Sequence, residues 1–242
     1  MKIVRQIAAL LLALAVLAPG ACADEPETVP PDPAEVEETS DWKLLLVNPW
    51  NPLPEDFSVE LVKLSGGMQV DKRIQSDLDD MLSACREAGL HPLICSAYRT
   101  EAVQTRLYNN KISRLRAAGY SRETALKEAG RWVAVPGTSE HQTGMALDIV
   151  SAGYQVLNRR QENTAEQKWL MEHCWEYGFI LRYPSEKCEI TGIGYEPWHY
   201  RYVGKEAAQA MRESGQCLEE YLEENAVHDE KNRSAMGGPA LL

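Results

Sequence analysis

Ser139-Glu140-His141-Gln142-Thr143-Gly144-Met145-Ala146-Leu147-Asp148 sets a histidine ahead of a short apolar run, 146–150, that carries a carboxylate and reads as a strand. A second cluster, Glu196-Pro197-Trp198-His199-Tyr200-Arg201, opens another short, aromatic strand over 198–203. Two histidines and one carboxylate, with a fourth position left for water, make the usual ligand set of a catalytic zinc, and His141, Asp148 and His199 can supply it. Glu196 stands three residues before the second histidine. There it can take the proton of a metal-bound water, whose pKa zinc lowers to roughly 7, and general-base help of this kind is worth about 10²–10⁴ in rate. An offset of three is odd in a strand of period two, so a turn or bulge is expected at Pro197.

Outward from these clusters the pattern alternates helix and strand. Val70, Ile74, Leu78, Met81, Leu82 and Cys85 recur at helical spacing until Gly89, and a strand follows over 92–98. Residues 101–118 read as a second helix with Val103, Leu107 and Leu115 inward, and 121–130 as a third. Thr164 and Gln167 form a capping-box pattern that opens a helix carrying Trp169, Leu170, Cys174 and Tyr177 before Gly178. A strand over 179–183 and helices over 205–214 and 217–224 complete the domain. This order predicts an α+β fold, a small, mostly antiparallel sheet with helices packed against it.

The ends differ from the middle. Of 242 residues and a net charge of −11, residues 24–60 hold 11 acids against Lys43 alone, whereas 61–212 holds 20 bases and 18 acids. No basic stripe suggests nucleic acid. Met1–Arg5, the apolar run 7–18 and the small residues to Ala23 describe an export signal, because about 12 apolar residues are too few to span a bilayer. The mature chain is therefore expected in the cell envelope, outside the cytoplasm. It would be released by cleavage after Ala23, or tethered to the membrane through the N-terminus, uncleaved or by a lipid on Cys22. Residues 24–56, acidic and rich in proline, read as a linker that wraps or dangles, 57–225 as the catalytic domain and 226–242 as a disordered tail. Without Cys22, five cysteines remain, an odd number with no Cys-x-x-Cys pair, so one or two disulfides are open and no zinc knuckle is expected. His91, His173 and His228 lack an acid-rich motif and read as structural or solvent-facing.

Four blocks in order, Ser96-Ala97-Tyr98-Arg99-Thr100 with Gln104, then 136–148, 178–184 and 196–204, closely resemble the D-alanyl-D-alanine carboxypeptidases of the VanY type. That family comprises zinc peptidases that cut the stem peptides of bacterial cell walls and is related in fold to VanX dipeptidases and the hedgehog domain. The resemblance spans roughly 60–215. It implies one zinc per chain on His141, Asp148 and His199, with Glu196 as base. It implies that Arg99 either steadies the oxyanion or grips the substrate's terminal carboxylate, and that Ser139 and Gln104 hydrogen-bond substrate. Tyr98 and Trp198 are expected to wall the pocket, and Arg182 and Arg201 to serve the framework. Three readings stay open: a D,D-carboxypeptidase, an L,D-carboxypeptidase acting on the tetrapeptide, and a wall-binding module without catalysis. Peptidoglycan stem peptides are the expected partner, and no protein partner is implied.

Overall fold

The computed structural model describes residues 42–235, with side chains through Val227. The export segment 1–23, the first part of the acidic stretch and the last seven residues lie outside the described residues. The centre is a four-stranded sheet of β3 (Pro92–Ser96), β4 (Ala146–Ser151), β5 (Phe179–Leu181) and β6 (His199–Tyr202), ordered β3-β4-β6-β5 with every pair antiparallel. All six residues of β4 are buried. That explains a run that is apolar nearly throughout instead of alternating.

A hairpin of β1 (Leu61–Lys63) and β2 (Gln69–Asp71) precedes the sheet. Val70, expected in the first helix, lies in β2 instead. Strands of three residues are too short to show a period, and Gly66 and Gly67 turn the chain between them with positive φ. The helix itself, α1 (Gln75–Glu87), buries Cys85 and packs Leu78, Met81 and Leu82 in one cluster with Leu147, Ile149, Phe179 and Tyr200 of the sheet. Thr164 caps α4 (Ala165–His173), its hydroxyl accepting from the Gln167 N–H at 3.2 Å. Gly178 then ends the following turn at φ +81, where a Cβ would come within 3.0 Å of the Gly204 backbone.

On the other side of the sheet, α6 (Lys205–Ser214) packs Ala207, Ala208 and Met211 with Ile180, Val203 and Leu218. α5 is a single turn (Cys188–Thr191). The last helix, α7, runs Leu218–Ala235. It therefore continues past Glu224 into the segment expected to be a disordered tail.

The folded unit also starts earlier than Phe57. Trp42 stacks on Tyr202, Val47 is fully buried, and Leu44 and Leu46 lie against the α6 cluster, so 42–56 wraps onto the domain. Acid and proline content hid the apolar stretch 44–47. Two helices, α2 (Glu101–Ala117) and α3 (Arg122–Trp132), pair beside the sheet. Against expectation, Val103, Leu107 and Leu115 of α2 are only half-buried, and Gln104 is the one buried residue of that helix. The five described cysteines are free thiols.

Candidate active site

The strand register builds the site. Asp148 on β4 and His199 on β6 are direct partners across the ladder, which puts both side chains on one face. His141 comes from the single 3₁₀ turn Glu140–Thr143 just before β4. That turn closes on Gly144 at φ +76, where a Cβ would meet the Asp71 N at 2.8 Å, so only glycine fits. The His141 Nδ1–H donates to the Ala97 carbonyl at 2.8 Å, which leaves Nε2 free to face Asp148.

Asp148 Oδ1 lies 3.4 Å from His141 Nε2 and 3.2 Å from His199 Nδ1, is buried, and has no hydrogen-bond partner among the described residues. Tetrahedral zinc with bonds near 2.0–2.1 Å holds its ligand atoms about 3.3 Å apart. Three donor atoms that converge at this spacing, all within 4.8 Å of one another, fit such an ion. Burial and the nearby Arg99 push His141 down to about 4, so its ring is neutral and ready to ligate. Asp148 sits well below the usual carboxylate range because His141 and Arg99 outweigh its burial.

Glu196 stands at the edge of this cluster. The expected turn is present: the His199 N–H donates to the Glu196 carbonyl at 3.1 Å around Pro197 and Trp198. It carries the Glu196 carboxylate to 3.6 Å from His199 Nδ1. Burial, with Asp148 adding to it, pushes Glu196 up to about 8.

Arg99 reaches the same cluster from beyond β3. Its Nη2 donates to Asp148 Oδ2 at 2.5 Å, Nε to Ser96 Oγ at 2.8 Å and Nη1 to Gln104 Oε1 at 3.4 Å. The guanidinium thus holds one carboxylate oxygen and leaves the other for the metal position. Gln104 lines the cleft, is fully buried, accepts from Arg99 and donates to the Ala134 carbonyl at 2.7 Å, which holds the guanidinium in place. Ser139 and Trp198 line a cleft of about 640 Å³ that opens over the cluster. Tyr98 does not line it. There the chain has left the sheet, and the Tyr98 N–H bonds the Gln69 carbonyl of β2.

The residue that sequence reasoning passed over, Glu140, lies one layer deeper, between the two arginines expected to serve the framework. Glu140 Oε1 accepts from Arg182 Nε at 2.8 Å and Arg201 Nη1 at 2.9 Å, and all three side chains are fully buried. Its Oε2 faces His199 Nε2 at 3.6 Å. Against burial, the facing carboxylates of Asp148 and Glu140 hold His199 up to about 9. The available signal was an arginine inside each of two otherwise apolar strand segments, which demands a buried acid.

The family model for VanY D-alanyl-D-alanine carboxypeptidases matches residues 67–205, the span that holds every one of these side chains. This chain belongs to that family. Within it, a D-alanyl-D-alanine carboxypeptidase of Enterococcus faecalis is 45% identical over 188 residues, covering 78% of this chain and 68% of that protein. A mutant of the vancomycin resistance D,D-pentapeptidase VanY from a VanB-type cassette, in complex with Zn(II), superposes with a TM-score of 0.69 at 46% identity and covers 75% of this chain and 99% of its own. VanYB in complex with D-alanine-D-alanine gives 0.71 at 46% identity, over 76% of this chain and 98% of that one. The VanY-type chain described here is a zinc D,D-carboxypeptidase.

Proposed function

We propose that His141, Asp148 and His199 hold the zinc, and that the chain removes the C-terminal D-alanine from peptidoglycan stem peptides outside the cytoplasm. The observation that carries this reading is the unpartnered Asp148 Oδ1 between His141 Nε2 and His199 Nδ1, with Glu196 beside them. A bound zinc supplies Lewis acidity toward a water and a peptide carbonyl. Glu196, on the same side of the cluster, takes the proton of the attacking water and returns it to the leaving amine. Arg99, fixed by Asp148, Ser96 and Gln104, presents its remaining N–H groups to the developing oxyanion or to the substrate's terminal carboxylate. Trp198 and Ser139 bound the pocket. Ligands and base occur together, which disfavours a module that only binds wall.

The activity is tested by D-alanine release from a stem pentapeptide and a tetrapeptide, with and without chelator, beside Glu196→Ala. Pentapeptide cleavage that chelator and mutation both abolish supports the reading. Cleavage of the tetrapeptide alone moves the specificity to L,D. If neither is cut by folded, zinc-loaded protein, the assignment fails. The extracytoplasmic location rests on the export-like segment 1–23. Protease accessibility on intact cells tests it, and detergent dependence of release tests an N-terminal tether.

A further inference from the structure

The cleft is electrically unlike the rest of the chain. The whole protein carries −11, yet the acids that line the cleft are Asp148 and Glu196, both spent in the metal cluster, while Arg99, Lys111, Arg114 and Arg159 also line it. Three of these cations lie outside the cluster. Lys111 and Arg114 have no ion pair among the described residues, and Arg159 shares only Glu162, at 3.3 Å.

The cations are placed by an anomaly of α2. Gln104, Leu107, Lys111 and Arg114 fall at intervals of three and four, one stripe of the helix, and that stripe faces the cleft instead of a core. The stripe starts at Gln104, against Arg99, and leads away from it along the helix. At 1.5 Å per residue, Lys111 and Arg114 sit about 10 and 15 Å along the axis from Gln104. An extended peptide advances about 3.3–3.6 Å per residue, so a substrate running along α2 brings its third residue upstream of the cut level with Lys111 and leaves Arg114 about one residue further on, where a long acidic side chain can reach either cation.

We propose that Lys111 and Arg114, faced across the cleft by Arg159, form a subsite for a carboxylate on the stem peptide upstream of the D-Ala-D-Ala pair. The enzyme thereby selects stems that keep a free acid at the second residue, or a diamino dicarboxylic acid at the third, over amidated or lysine-bearing stems. The exposed Trp132, whose ring centroid is 5.9 Å from the Lys111 ammonium, gives the peptide an apolar wall beside the charge. This inference rests on the carboxypeptidase reading and deepens it.

The test uses zinc-loaded full-length protein and two pairs of synthetic pentapeptides: γ-linked D-glutamate against its α-amide at the second residue, and diaminopimelate against lysine at the third. The wild type is expected to favour the acidic member of at least one pair by about tenfold in kcat/KM, the scale of one charge-assisted contact. Added salt should erode that ratio, because contacts in an open cleft are screened. In the double variant Lys111→Glu, Arg114→Glu the ratio is expected to fall below one. A wild-type ratio within twofold for both pairs, or one that survives the double variant, overturns the subsite. Should the double variant lose its zinc or its thermal transition, Lys111→Gln replaces it, with a ratio reduced severalfold expected and an unchanged ratio overturning the subsite. Failure of the wild type to cut any of the four peptides is a different result, and it overturns the carboxypeptidase reading itself.

Discussion

Glu140 Oε2 lies 3.6 Å from His199 Nε2, and both atoms are buried without another partner among the described residues. His199 therefore offers Nδ1 to the metal position while its far nitrogen faces a carboxylate, the arrangement that fixes a ligand's tautomer and ring orientation. Glu140→Gln keeps the shape and removes the charge. It is expected to weaken zinc binding about 10–100-fold, read by competition with a chelator of known affinity. It should also lower the stability of zinc-free protein by about 3–5 kcal/mol, since Arg182 and Arg201 lose a buried counter-charge. Unchanged zinc affinity would reduce Glu140 to a purely structural role.

Arg99 and Gln104 form a second chain of support, from Ala134 through the Gln104 amide to the guanidinium and on to Asp148. Arg99→Ala should lower kcat by 10²–10³, the cost of losing one oxyanion donor, and also weaken zinc binding, because Asp148 loses its clamp. Gln104→Met leaves the guanidinium in place but less constrained. Its expected signature is a smaller fall in kcat with KM nearly unchanged, as for a residue that positions another. An effect on KM alone would return Gln104 to direct substrate contact.

How much of this was legible depended on what each residue type demands. The convergence of His141, Asp148 and His199 was readable because a ligand set has few chemical alternatives, and the turn at Pro197 followed from strand parity alone. The α+β class was readable from the alternation of periods. The β1–β2 hairpin was not, since three-residue strands carry no periodicity. For 24–56 the sequence left wrapping and dangling both open, because the burial of 42–56 depends on a surface assembled from distant segments, Tyr202 and the α6 cluster. Tyr98 was expected to wall the pocket because it stands beside Arg99, but adjacency in sequence does not fix which way a side chain points once the chain leaves the sheet. The α2 stripe was misread for a related reason, because a helix face can line a cleft as well as a core.

Glu219 ties α7 to the same buried network and gives the fold a defined acid limit. Its carboxylate accepts from Arg182 at 2.7 and 2.8 Å and from Asn48 at 3.0 Å. Burial pushes this group up, but Arg182 and Asn48 outweigh it and hold it below its ordinary 4.5. A depressed folded pKa contributes stability that is fully present above the unfolded value and is lost as pH falls through the folded one. Thermal unfolding followed from pH 6 to pH 3 should show the wild type losing stability below about 4.5. Glu219→Gln, less stable at pH 6, should show a shallower decline and approach the wild type at pH 3. Parallel curves would mean that other carboxylates set the limit.

Residues 42–56 should prove to be part of the folding unit. Arg201 Nη2 donates to the carbonyls of Lys43 and Leu45 at 3.0 and 2.9 Å, and it is the same guanidinium that holds Glu140 behind His199. Deleting 42–56 strips those acceptors from a fully buried cation, a loss of about 1–3 kcal/mol for each unsatisfied group. It also removes Val47, whose complete burial is worth about 1.5–3 kcal/mol. Together these terms approach about 5 kcal/mol, a large part of the 5–15 kcal/mol that holds an ordinary domain. At about 2–4 °C per kcal/mol for a domain of this size, Tm should fall by roughly 10–20 °C in zinc-loaded protein. Because Arg201 then loses its fixed geometry, zinc affinity should fall with it. A shortened chain that kept both its Tm and its zinc affinity would show that the wrap is an accessory to the domain and that Glu140 and the Tyr202 carbonyl suffice to hold Arg201.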